Sequence, residues 1–183
     1  MVATILQKNE STQALEPLYS LEFIYDTYHK NVYNYIAYRI NNHFDAEELA
    51  ADVFVKALKN ISRYNKEFPI EAWLITIAKN TVTDYLRKTK SRQFFPLDSI
   101  LELVSSDKEP AEIALINEEN KKLMEAMSKL RDKERQILSM KFATNLKHQQ
   151  ISEILKISVS QVGVIAHRAM EKLRRSMKEG EMA

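Results

Sequence analysis

The stretch ISEILKISVSQVGVIAHRAMEKLRR, residues 151–175, decides the fold class. Ile151, Ile154 and Leu155 recur at helical spacing, Lys156-Ile157-Ser158 interrupt them, and Val162, Ile165, Ala166, Ala169 and Leu173 resume the period. Ser158-Val159-Ser160-Gln161 fits the S-x-x-Q capping box, in which the serine hydroxyl and the glutamine amide satisfy free N–H groups at a helix start. Two short helices joined by a tight turn, with Ile157 as its buried residue, have the layout of a helix-turn-helix. The outer face of the second helix offers Ser160, Gln161, Gly163, Val164, His167 and Arg168. Such a helix fits the DNA major groove with its N-terminal turns towards base edges. Lys147, Lys172, Arg174 and Arg175 are placed to meet phosphates, which position a protein without reading sequence.

Working outward, the same period recurs almost everywhere. Residues 18–38 place Leu21, Ile24, Tyr25, Tyr28, Val32, Tyr35 and Ile36 three and four apart, which predicts an amphipathic helix ending at Asn41-Asn42-His43-Phe44. A second helix is expected to open at Asp45, with Glu48 at the capping-box position and Leu49, Val53, Phe54 and Leu58 on its apolar side. Asp45, Glu48 and Asp52 form an acidic stripe. Residues 62–69 read as a polar loop with embedded aromatics, Tyr64 and Phe68. A third helix over 70–90 carries Trp73, Leu74, Ile77, Ala78, Val82, Tyr85 and Leu86 on one face. Lys79, Asn80, Thr83, Asp84, Arg87 and Lys88 lie on the other. Further helices are expected over 112–130, 132–142, 146–155 and 159–177. Residues 93–111 sustain no helical period and read as a linker. The expectation is an all-α protein of two small helical domains, 18–92 and 112–179, joined by that linker and preceded by a loose leader over 1–17.

Composition agrees. The 183 residues include two glycines and four prolines, too few for the frequent turns of a sheet protein. With 45% apolar residues the chain can bury a core. No cysteine is present, so disulfide frameworks and cysteine metal sites are excluded. None of the four histidines stands in metal-ligand spacing with a carboxylate, and no glycine loop could cradle a phosphate, so neither catalysis nor a cofactor or metal is expected. Nothing resembles a signal peptide or a membrane span, and a cytoplasmic protein is expected. The net charge of +2 conceals alternating blocks of −3 (1–71), +4 (72–92), −5 (93–127) and +7 (128–179). The two basic blocks coincide with the third helix and the helix-turn-helix. Basic blocks of this kind attract polyphosphates.

At this point three motifs stand in order. They are Asp45-Ala46-Glu47-Glu48-Leu49 with Phe54, the run from Trp73-Leu74 through Ile77-Ala78, Asn80 and Asp84 to Arg87, and His167-Arg168-Ala169 with Leu173-Arg174. Residues 21–92 resemble region 2, and residues 130–176 region 4, of the sigma-70 family, especially its extracytoplasmic-function (ECF) group. The resemblance implies an alternative sigma factor that binds core RNA polymerase, recognises promoter DNA and supports strand opening. It places Asp45, Glu48, Leu49, Asp52 and Phe54 against the polymerase clamp. Lys79, Asn80, Thr83, Asp84, Arg87 and Lys88 fall at the minus-ten element, with Asn80 and Thr83 on bases and Arg87 and Lys88 on phosphates. Ser62, Tyr64, Asn65 and Phe68 would hold a flipped base, whose pairing edge needs polar groups and whose face needs a stacking surface. Lys147, Ser160, Gln161, Val164, His167, Arg168 and Lys172 would meet the upstream element. Trp73 and Tyr85 read as core. The linker would run towards the RNA exit path, and an anti-sigma factor is the expected further partner. Two departures stand out. Ala51 replaces a glutamine common in the clamp-facing helix, and Gln161-Val162-Gly163-Val164-Ile165 replaces a T-V-K-S-R-like run. A helix-turn-helix regulator acting without core polymerase is the alternative, but it leaves the helix over 70–90 without a role. A pure interaction protein such as an anti-sigma decoy is a third reading.

Overall fold

The computed structural model describes residues 20–40, 42–90 and 110–181. Among these, every regular element is helical: α1 (Leu21–Ile40), α2 (His43–Asn60), a 3-10 turn (Ile61–Arg63), α3 (Ile70–Lys90), α4 (Pro110–Ser128), α5 (Asp132–Ala143), α6 (His148–Leu155) and α7 (Val159–Glu181). The expected leader lies outside the described residues, as does the expected linker except for Pro110 and Ala111, which open α4.

Capping explains where the boundaries differ from the sequence reading. The α1 helix starts at Leu21 because Ser20 Oγ accepts the Phe23 N–H at 3.2 Å. Helix α2 opens two residues before Asp45, since Asn42 is the cap and its Oδ1 accepts the Asp45 N–H at 3.2 Å. Residues 144–147 stay outside α6, whose first turn is closed by the Lys147 N–H donating to Gln150 Oε1 at 2.7 Å. The Ser158 and Gln161 capping box forms as expected, with N–H to oxygen distances of 3.0 and 3.2 Å.

Helices α1, α2 and α3 enclose Ile24, Val32, Tyr35, Ile36, Val53, Leu74, Ile75 and Val82. The same apolar cluster continues through Ile137 and Met140 of α5 and Ile151 and Ile154 of α6 to Val162 and Ala166 of α7. A second cluster joins α4, α5 and α7 through Ala126, Met127, Leu130, Leu138, Ala169 and Leu173. The helix-turn-helix thus shares its core with the N-terminal helices. Ile157, at the turn, is only half-buried.

The α6–α7 turn places Lys156 at φ 53°, ψ 48°, the sole positive φ among the described non-glycine residues. A side chain there meets the following carbonyl, so Lys156→Gly should raise stability by about 0.5–1 kcal/mol, while Lys156→Val should lower it by at least about 1 kcal/mol. Gly163 does not break α7, which runs through it as one 23-residue helix. A Cβ there would meet nothing closer than His148 Nδ1 at 3.9 Å. Gly163→Ala should therefore stabilise by about 1 kcal/mol. Urea midpoints at unchanged slope check all three; a loss of stability in either Lys156→Gly or Gly163→Ala would contradict this account of the turn and helix.

Candidate nucleic-acid interface

The outer face of α3 is set by its apolar side. Ala72, Ile75, Ala78 and Val82 are buried, which leaves Asn80, Thr83, Asp84, Arg87 and Lys88 exposed at spacings of three and four. Asn80 is exposed at the middle of this face. Thr83 Oγ1 donates to the Lys79 carbonyl at 2.7 Å, so its hydroxyl proton is occupied. Asp84 holds Arg87 at 3.2 Å, a surface pair that orients the guanidinium. Lys79 is half-buried, and its Nζ donates to the Ile154 carbonyl of α6 at 3.3 Å. The C-terminal helices therefore occupy the one α3 cation nearest the core.

Residues 62–68 form an ordered corner. The Tyr64 ring packs on Trp73 at 5.1 Å, and its hydroxyl donates to the Phe68 carbonyl. Asn65 Oδ1 accepts the Glu67 N–H at 3.0 Å, and the Phe68 N–H donates to the Asn65 carbonyl at 3.1 Å. Tyr64 faces inward, whereas the Phe68 ring is 51% exposed and is the free stacking surface. Ser62 is exposed on the 3-10 turn.

The acidic stripe does not survive as three equivalent carboxylates. Glu48 and Asp52 are exposed, but Asp45 is half-buried and accepts from Asn42 Nδ2 at 2.8 Å and from the Tyr85 hydroxyl. Leu49 and Phe54 lie in the core, so they hold the acidic face from beneath. Tyr25 and His29 cover Phe54, with ring centroids 4.9 and 5.9 Å away.

In the helix-turn-helix, several expected readers are already bonded. Gln161 Oε1 accepts the Ser158 N–H, and Ser160 Oγ lies 3.0 Å from Ser158 Oγ. His167 Nε2 stands 3.6 Å from Glu171. Lys172 Nζ donates to Glu134 Oε1 at 2.6 Å. Burial alone would push the Glu134 carboxyl up, but Lys172 and the Arg131 N–H together hold it below the usual range. Lys147, Val164 and Arg168 are exposed. No group of three or more potential ligands that could hold a metal ion occurs among the described residues.

The sequence reading missed two charged nodes. Arg39 is 3% exposed and donates to Asp132 Oδ1 at 2.8 Å and to the Asp132 carbonyl at 3.1 Å, tying α1 to α5. Arg135 donates to the carbonyls of Ser128 and Leu130 at 2.8 and 3.2 Å, closing the α4–α5 turn. Burial first, and then the neighbouring Arg39 charge, lowers the Arg135 pKa. A signal did exist, since Arg39 continues the α1 stripe three and four residues past Ile36 and Tyr35. Glu71 forms a second node, accepting from Asn31 Nδ2 at 2.7 Å and from the Asn145 N–H at 3.4 Å.

Two predictions follow from these contacts. Asp132→Ala strands a buried guanidinium; because the aspartate is 74% exposed, the cost is discounted from a fully buried pair to about 1–2 kcal/mol. Arg39→Met removes the charge while keeping the apolar stem, so its thermal unfolding midpoint should lie above that of Asp132→Ala; the reverse order refutes the pairing argument. Burial, with the Asp45 hydrogen bond added, pushes the Tyr85 hydroxyl from 10.0 to about 12. Because the folded pKa lies above the unfolded one, Tyr85 stabilises fully below pH 10, and that contribution is lost as pH rises towards 12. Tyr85→Phe should therefore flatten the alkaline decline of stability in that window, as read by denaturation at stepped pH.

Comparison with known proteins agrees with this geometry. Residues 24–92 match the model of sigma-70 region 2, and residues 126–175 that of sigma-70 region 4, together about two-thirds of the chain. The chain is 29% identical over 159 residues to the RNA polymerase sigma factor YlaC of Bacillus subtilis, covering 86% of this chain and 92% of that protein. It is 27% identical over 164 residues to the ECF RNA polymerase sigma factor SigW of the same organism, covering 85% and 88%. Among solved structures, the sigma factor RpoE of Bartonella quintana, in complex with the anti-sigma factor NepR, shares the fold at a TM-score of 0.70 and 16% identity, covering 86% of this chain and 96% of that one. Matches to both regions, in the order in which α1–α3 and α5–α7 present them, show that the chain belongs to the sigma-70 family of RNA polymerase sigma factors, in its extracytoplasmic-function group.

Proposed function

We propose that this alternative sigma factor docks on core RNA polymerase through the acidic face of α2 and reads the minus-ten element with α3. The observation that carries this is the α3 outer face: Asn80 is free for a base edge, and Arg87 and Lys88 lie two turns on, where phosphates would pass. Glu48 and Asp52 supply the accessible negative charge for a basic clamp, and Asp45 shapes the start of their helix. Phe68 stacks a base extruded from the melted strand, while Ser62 and Asn65 border it. The functional units are residues 18–92 and 112–179, linked by 93–111, and α7 meets the upstream element. Lys79 joins the DNA contacts once α6 withdraws from it. The protein is a transcription initiation factor that works in the cytoplasm, catalyses no reaction itself and is held in check by an anti-sigma factor. Among the described residues no helix is long and apolar enough to cross a membrane.

Run-off transcription with purified core polymerase over genomic fragments is the test, and a protein that blocks transcription rather than starting it refutes the reading. Glu48→Lys with Asp52→Lys should abolish co-elution with core polymerase at unchanged helicity. Asn80→Ala should cost about 1–3 kcal/mol of discrimination at the minus-ten element. Arg87→Ala and Lys88→Ala should instead weaken all promoters alike and lower the salt dependence.

A further inference from the structure

The first turns of α7 lack the side chains that ordinarily read purines. Guanine is read by bidentate arginine or lysine, and adenine by asparagine or glutamine. The glutamine, Gln161, is committed to its cap, the Ser160 hydroxyl is paired with Ser158, and the first basic residue of the helix is Arg168. What this surface does present is apolar. Val164 is 49% exposed and Val159 46% exposed. Val164 lies on the outward face, four residues after Ser160 and three and four before His167 and Arg168. Gly163 beside it is half-buried at a negative φ, and a Cβ would make only an ordinary contact, so nothing inside the fold requires a glycine there. Its missing side chain leaves the backbone beside Val164 open to close approach.

The apolar group that B-DNA displays in the major groove is the C5-methyl of thymine. We infer that Val164 is a specificity-determining residue that reads a thymine methyl in the upstream promoter element, with Val159 flanking the contact. The inference rests on α7 being the DNA-reading helix of the function proposed above. Cytosine and the purines offer no methyl at that position, so the preference at the contacted position is for thymine. Arg168, one turn further on, holds the helix in the groove.

Replacing thymine by 2′-deoxyuridine removes that methyl and leaves base pairing intact, so it isolates the contact. Holoenzyme assembled with core polymerase is first used to select upstream sequences from a randomised library. Each upstream thymine of the selected promoter is then exchanged for deoxyuridine, and equilibrium binding is measured. With the wild-type chain, one or two exchanges should weaken binding about fourfold each, the worth of one buried methyl-sized group. Val164→Ser should bind both DNAs equally and lose the thymine preference in the library, whereas Val164→Ile should keep the discrimination. Wild-type holoenzyme that initiates normally but is blind to every exchange overturns the thymine contact alone, as does Val164→Ser retaining full discrimination. A chain that supports no initiation from any fragment overturns this inference together with the function it rests on.

Discussion

Helix α1 must be buried on two sides at once, and the remaining helices are arranged around that requirement. One flank of α1 packs Ile24, Val32 and Ile36 into the cluster shared with α2 and α3. Another flank brings Tyr38 to the second cluster, and at the C-terminal end of the first stripe Arg39 reaches Asp132 of α5. A helix covered on two sides cannot keep one narrow apolar stripe, and α1 is correspondingly apolar or aromatic around much of its circumference. Its single buried charge among the described residues, Arg39, is paired at the seam with the Asp132 carboxylate and carbonyl through its two terminal nitrogens, while its Nε is left without a partner. The seam thus specifies a register between the N-terminal and C-terminal helices, which apolar packing alone would leave loose.

That packing ties the N-terminal helices to the C-terminal ones by polar as well as apolar contacts. Lys79 of α3 donates to the α6 carbonyl end, and Glu71 bridges α1 to the loop before α6. Moving α5–α7 away from α1–α3 must break these polar contacts and expose Ile137, Met140 and Ile151. Hydrophobic burial outweighs the few hydrogen bonds in holding the two parts together, since each buried aliphatic side chain is worth about 1.5–3 kcal/mol and each hydrogen bond only about 1 kcal/mol net.

Several polar side chains carry structural work that limits what they can recognise. Asp45, Gln161 and Ser160 are spent on helix starts and on the Tyr85 hydroxyl, and Lys172 on Glu134. The groups left exposed include Glu48 and Asp52 on α2, Asn80 and Lys88 on α3, and Val164 and Arg168 on α7. The exposed groups thus form one acidic face, one polar face and one partly apolar face, on α2, α3 and α7 respectively.

The sequence by itself determined the helical class, the bounds of α3 and the helix-turn-helix with its Ser158 cap, because those features depend on neighbours within four residues. The exposed faces of α3 and α7 were legible for the same reason: helical period alone sorts buried from exposed positions. Caps that compete at adjacent positions were less legible, and Asn42 took the place expected of Asp45. Only the tertiary structure decided which of the exposed-looking polar residues are engaged. Asp45 meets Tyr85 forty positions away, Lys79 meets Ile154 seventy-five away, and Arg39 meets Asp132 ninety-three away. Separations of that length leave no periodic trace in a sequence, because which helix faces come together is settled by burying α1 on both sides rather than by any local preference.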